Sequence, residues 1–230
     1  MDLRQSIFAA AALFCAVPSV LFAQAPPAPQ PRFVVVLDAA HGGSDSGARI
    51  AEQDGFAPGT EKSVTLSLSV RLRSLLAARG IPVVTTRESD TSLDLDQRAQ
   101  IANRARAQAC LSLHATQTGS GVHLYVSALA PTPPARFLPW KTAQSAFVQQ
   151  SLDLAGVLNS ALTHAGFAVT LGRTALPAVD SMTCPAVAIE LAPETAAPNA
   201  AGPGDADYQA RIDQALAAAL VEWRSEAHQP

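Results

Sequence analysis

Apolar runs of two different periods alternate along most of this chain, and that alternation is the strongest constraint on what it can fold into. Phe33 to Leu37 (FVVVL) is unbroken and rich in β-branched residues, the mark of a strand buried on both faces. Val64, Leu68, Leu72, Leu75 and Leu76 then recur at helical spacing. They predict a helix from about Glu61 to Gly80, with Thr60 at its N-cap. Ile81–Thr86 reads as the next strand. Thr91-Ser92-Leu93-Asp94 has capping-box spacing and predicts a second helix opening there and running to about Ala107. Ala109–Leu113 and Val122–Val126 are further strands. Phe147, Leu154, Leu158, Ala161 and Leu162 mark a helix ended by Gly166. Ala186–Leu191 is a late apolar strand, and Tyr208 to Trp223 carries the stripe of a closing helix. Such an order implies an α/β fold: a single domain whose mostly parallel or mixed central sheet has helices on both faces. Pro131, Pro133, Pro134 and Pro139 make residues 127–142 an irregular excursion.

Composition agrees and removes several alternatives. At 230 residues and 48% hydrophobic, the chain has ample material for one core, and with 15% charged residues it is not a disordered chain. A net charge of −3 argues against nucleic acid as a partner, because phosphate binding needs surplus Lys and Arg.

The first 25 residues read as an address. Arg4 precedes an apolar run that Pro18 interrupts, and Ala23-Gln24-Ala25 supplies a small-residue cleavage site. Residues 26–32 (PPAPQPR) are a Pro-rich linker. The folded domain is therefore expected over 33–226. Its location is expected to be periplasmic or secreted, with no membrane attachment after cleavage. Cys15 would leave with the signal, so Cys110 and Cys184 remain in an oxidising compartment that permits a disulfide. Against a bridge, Cys110 falls inside a buried strand, where a free thiol behaves as a small hydrophobe. The balance favours free thiols.

Ligands of open α/β sheets lie beyond the carboxyl ends of the strands, so polar residues there carry the functional reading. Asp38-Ala39-Ala40-His41-Gly42-Gly43 follows FVVVL, His114 ends the Ala109–Leu113 strand, and Glu190 sits within Ala186–Leu191. Glu61 opens the first helix on its inward face. His41, Glu61 and His114 form a set of two imidazoles and one carboxylate, which suits a catalytic Zn2+ with an open position for water. Gly42 and Gly43 would let the backbone pass close to a metal or substrate. Glu190 would take the proton from the water, since an unpaired carboxylate inside an apolar strand is otherwise costly. Each residue also has a plainer reading: a loop histidine, a first-turn acid complementing the helix dipole, a turn-forming Asp38. Asp38 is open between that role and orienting a ligand imidazole. His123 is open between a strand histidine and a substrate contact.

The blocks VVVLDAAHGGSDSGA, GTEKSVTLSLSVRLRSLLAARGIPVVTTRESD, SLDLDQRAQIANRARAQACLSLHA, GVHLYV and PAVAIELAPE, taken together and in this order, resemble the zinc-dependent N-acetylmuramoyl-L-alanine amidases of bacterial cell walls. The resemblance runs from about Phe33 to Trp223. It implies zinc bound by His41, Glu61 and His114, Glu190 as the catalytic carboxylate, and peptidoglycan as the partner. The bond cut would be the amide between N-acetylmuramic acid and L-alanine of the stem peptide. Where the family has Pro-Gly before the first His, this chain has Ala39-Ala40, and Thr116 stands where it has Asn. Neither change replaces a ligand. A monomer is expected, with any activator protein unknown. Two rival readings remain, a zinc peptidase acting on other peptides and a wall-binding protein without catalysis.

Overall fold

The FVVVL run becomes the centre of a sheet. The computed structural model describes residues 33–51, 59–133, 135 and 137–226; the expected signal segment and Pro-rich linker lie outside the described residues. The strands are β1 (Val35–Ala39), β2 (Arg49–Ile50), β3 (Gly59–Thr60), β4 (Val83–Thr85), β5 (Ala109–Ala115), β6 (Val122–Ser127), β7 (Val169–Thr174) and β8 (Ala186–Leu191). The helices are α1 (Glu61–Ala78), α2 (Leu95–Ala105), α3 (Val148–His164), the short α4 (Pro177–Asp180) and α5 (Ala206–Glu226). Six strands form one sheet in the order β4-β1-β5-β8-β6-β7, while β2 and β3 form a separate ribbon. Strands β4, β1, β5 and β8 run parallel; β6 is antiparallel to β8, and β7 follows β6 in parallel. The sheet is thus mixed.

Side chains alternate across a strand, and this sorts the molecule into two layers. Val35, Leu37, Leu111, Leu113, Val187 and Ile189 pack into the larger core with the apolar faces of α1, α3 and α5. Val36, Cys110 and Ala186 point the other way, into a smaller cluster with Ala99 and Ala102 of α2 and with Val179, Met182 and Cys184. The same parity sends Asp38, Ser112, His114 and Glu190 to the α2 side. Among the described residues, no helix is long and apolar enough to cross a membrane.

Several elements differ from the sequence reading. The second helix starts three residues late: its N-cap is Asp94, whose carboxylate accepts from Gln97 N at 2.7 Å while Asp94 N donates to the Gln97 side chain at 2.9 Å. Thr91 lost to Asp94 because an ionised cap with Gln at N3 satisfies both amide donors. It ends at Arg106 in the left-handed region (φ 50°). β7 was not expected; its residues are mostly exposed, so it carries no continuous apolar signal. A 3-10 segment, Trp140–Ala146, closes the Pro-rich excursion.

The free-thiol expectation is also overturned. Cys110 and Cys184 form a disulfide with Cα atoms 6.2 Å apart, inside the range that a bridge needs. The physical reason is register: β5 and β8 are neighbours, and Cys110 pairs with Ala186, so Cys184 arrives just beside it. The bridge spans 74 residues, and the chain-entropy account gives such a closure roughly 4 kcal/mol. Both thiols are therefore expected to be unreactive in the denatured, unreduced protein. Cys184→Ser is expected to lower the unfolding free energy by about that amount. Two free thiols on the unreduced domain would refute the bridge.

Candidate functional site

The site is assembled where β1, β5 and β8 end and α1 begins. His41 lies two residues past β1, in the left-handed region (φ 61°). Glu61 is the first residue of α1 and is buried. His114 is the penultimate residue of β5. The ligating atoms of His41, Glu61 and His114 all lie within 4.8 Å of one another. His41 Nε2 is 3.0 Å from Glu61 Oε2, and His114 Nδ1 is 3.1 Å from Glu61 Oε1. The two carboxylate oxygens thus face one imidazole each.

The neighbours of this trio decide what it can hold. Asp45 Oδ2 lies 2.8 Å from His41 Nδ1 and accepts a hydrogen bond from its N–H, which leaves Nε2 bare and facing Glu61. Ser112 Oγ donates to Asp38 Oδ2 at 2.8 Å, so its own oxygen accepts from His114 Nε2 at 3.4 Å. That leaves His114 Nδ1 bare as well. Two imidazole lone pairs aimed at one carboxylate repel unless a cation lies between them, so the donor set fits a metal ion. Nitrogen and oxygen donors in this number suit zinc. The carboxylate is held by further donors, Ala48 N at 2.9 Å and Ala115 N at 3.2 Å.

The electrostatics follow the same contacts. Burial works against ionisation of Glu61, but its contacts with the His114 and His41 imidazoles and the Ala48 amide outweigh it and hold its pKa below the usual value. Burial also works against charge on His114, yet the Glu61 carboxylate raises its pKa. Glu190 differs: burial dominates and pushes its carboxyl up, opposed by His114 and His41. Glu190 pairs in register with His114 on one side and with His123 on the other. It is not among the grouped ligating atoms. Hence the structure brings His41, Glu61 and His114 together and sets Glu190 beside them.

Sequence reasoning missed much of the support. Asp38 is neither a turn former nor a direct partner of a ligand histidine. It is buried, accepts from Arg98 Nη1 (2.7 Å), Thr86 Oγ1 (2.8 Å) and Ser112, and reaches His114 only through Ser112. Arg98 also donates to the carbonyls of Ala39 (2.7 Å) and His41 (2.6 Å). Arg87 donates to those of Ala39 (2.9 Å) and Ala40 (3.0 Å). The turn presenting His41 is therefore held by two buried guanidiniums. Asp45 lies four residues past His41 in a loop of Gly, Ser and Asp, and that spacing was its one sequence signal. The glycine that lets the backbone approach the ligands is Gly47, not Gly42 or Gly43. A Cβ at Gly47 would fall 2.5 Å from Glu61 Oε2 and 2.6 Å from His41 Cδ2, whereas Gly42 and Gly43 press against Thr91 and Ser92. A groove of about 830 Å³ is lined by Gln117, Gly119 and Ser120 on one side and by Pro193, Asn199 and Asp205 on the other. The ligand trio does not line it.

Comparison with known proteins bears on this geometry. The N-acetylmuramoyl-L-alanine amidase family profile matches residues 35–222. An N-acetylmuramoyl-L-alanine amidase AmiC of Escherichia coli is 34% identical over 150 residues, which are 58% of this chain and 33% of that protein. The germination-specific N-acetylmuramoyl-L-alanine amidase of Bacillus subtilis is 35% identical over 95 residues, 35% of this chain and 38% of that protein. The chain thus aligns with well under half the length of these relatives. Among solved structures, the catalytic domain of CwlV, an N-acetylmuramoyl-L-alanine amidase of Bacillus (Paenibacillus) polymyxa, matches with a TM-score of 0.61 at 25% identity. That match covers 84% of this chain and 98% of that one.

Proposed function

Because the chain belongs to the N-acetylmuramoyl-L-alanine amidase family, we propose that it is a zinc-dependent hydrolase of peptidoglycan, cutting the amide between N-acetylmuramic acid and L-alanine of the stem peptide. The observation that carries this reading is the trio of His41, Glu61 and His114, all ligating atoms within 4.8 Å, with Glu190 next to it in the sheet. Those three residues would hold the zinc. When bound, zinc supplies a Lewis acid that polarises the amide carbonyl. Glu190 supplies the proton chemistry: its carboxylate takes a proton from the attacking water and returns it to the leaving amine of L-alanine. Asp45 and Ser112 hold the two imidazoles in the tautomers that present a bare nitrogen. On this reading residues 1–25 are an export signal, 26–32 a linker and 33–226 the catalytic domain of a periplasmic or secreted monomer.

Mass spectrometry of sacculi digested with the purified protein tests the reading. Stem peptides with free L-alanine amino termini are expected, together with glycan strands stripped of peptide and undamaged. A chelator is expected to abolish their release. No released peptide, or cleavage within the stem, would overturn it. Elemental analysis is expected to find one zinc per chain, and little or none in His41→Ala or His114→Ala. Full occupancy in either variant would remove that residue from the ligand set.

A further inference from the structure

Four adjacent strands place polar side chains in one row on one face of the sheet. His114 of β5 is registered with Glu190 of β8, Glu190 with His123 of β6, and His123 with Thr170 of β7. Val122, Leu124 and Val126 of β6 point into the larger core, so His123 is on the opposite face, the one that Glu190 occupies. Residues directly opposite on an antiparallel pair have Cβ atoms about 5 Å apart. The row therefore begins at the ligand cluster, passes through the carboxylate and the His123 imidazole, and ends at Thr170.

The imidazole is oriented. Its Nδ1 lies 2.6 Å from Thr170 Oγ1; in the tautomer whose Nδ1 accepts from this hydroxyl, the ring proton is on Nε2. Nε2 has no hydrogen-bond partner among the described residues and faces Gly119, whose Cβ position would be 3.7 Å away. Gly119 lines the 830 Å³ groove. Nε2, next to the carboxylate assigned as proton acceptor, thus points towards the groove wall.

We propose that His123 is a substrate-contacting residue, its Nε2–H donating to a carbonyl oxygen of the substrate beside the scissile amide, with Thr170 as the positioning residue that fixes the donor tautomer. This rests on the amidase reading of the same site. The plainer alternative is a half-buried strand histidine whose only business is its bond to Thr170. A glutamine amide reaches about as far as Nε2 and keeps a donor there, whereas alanine removes it.

The test measures kcat, KM, zinc content and thermal midpoint for His123→Ala, His123→Gln and Thr170→Val on a soluble muropeptide. His123→Ala is expected to lower kcat/KM roughly 10- to 100-fold, at or below the lower end of what loss of one preorganised donor costs, with zinc content and midpoint unchanged. His123→Gln is expected to recover most of that loss. Thr170→Val is expected to cost less than tenfold, with zinc again retained. His123→Ala within twofold of wild type overturns the proposal, as does a loss of activity accompanied by loss of zinc or a collapsed midpoint. A zinc-loaded wild-type protein that releases no stem peptide overturns the amidase reading itself, and this inference with it.

Discussion

A Glu190→Gln protein is expected to fold, retain its zinc and release stem peptides roughly 10²- to 10⁴-fold more slowly, the usual worth of a positioned acid or base. Glutamine keeps the volume of the side chain, so the packing of β8 between β5 and β6 is undisturbed. It cannot accept the water proton. The metal stays because Glu190 is not one of the grouped ligating residues. Glu61→Gln is expected to behave differently: of the two carboxylate oxygens that each face one imidazole, one is replaced by an amide nitrogen, and zinc content falls along with the rate. Metal analysis alone therefore separates the two acids. Zinc lost from Glu190→Gln and kept in Glu61→Gln would reverse their roles. Near wild-type release by Glu190→Gln would remove the mechanism.

A comparably large effect on stability is expected at Arg98. Its guanidinium is buried against Asp38, also buried. Arg98→Met keeps much of the apolar stem but strands the Asp38 charge and leaves the carbonyls of Ala39 and His41 without this donor. Breaking one side of a buried ion pair costs about 3–5 kcal/mol. For a domain of this size that lowers the melting temperature by roughly 10 °C. Because His41 O is one of the abandoned carbonyls, zinc affinity is expected to fall too. Adding Asp38→Asn to Arg98→Met removes the orphaned charge, and the double variant is expected to melt above the single one. A single variant within 2 °C of wild type would show that the pair is dispensable.

The α/β architecture was legible because its signals are local. The leucine stripe of α1 and the apolar runs of β1 and β8 declare themselves by period alone. β7 did not, because Thr170, Leu171, Arg173 and Thr174 face solvent and leave no apolar run. The chemistry-bearing residues were legible as strand-end polar groups. What surrounds them was not, because Asp45, Ser112 and Arg98 acquire meaning only through contacts across the fold. The disulfide failed for the same reason: its two ends are brought together by the β5–β8 pairing, which no local pattern announces.

The position of β8 also sets an order of events. β5 and β6 follow one another in the chain, yet they are not neighbours, since β8 lies between them. Until that late segment is threaded in, both strands expose bare edges, and such non-local pairing is slow to form. As the chain grows from its amino end, His41, Glu61 and His114 all emerge before Ala186. On the proposed mechanism a nascent or truncated polypeptide has its ligand residues but lacks Glu190. On that mechanism, hydrolysis waits for β8, the last of the described strands to be made.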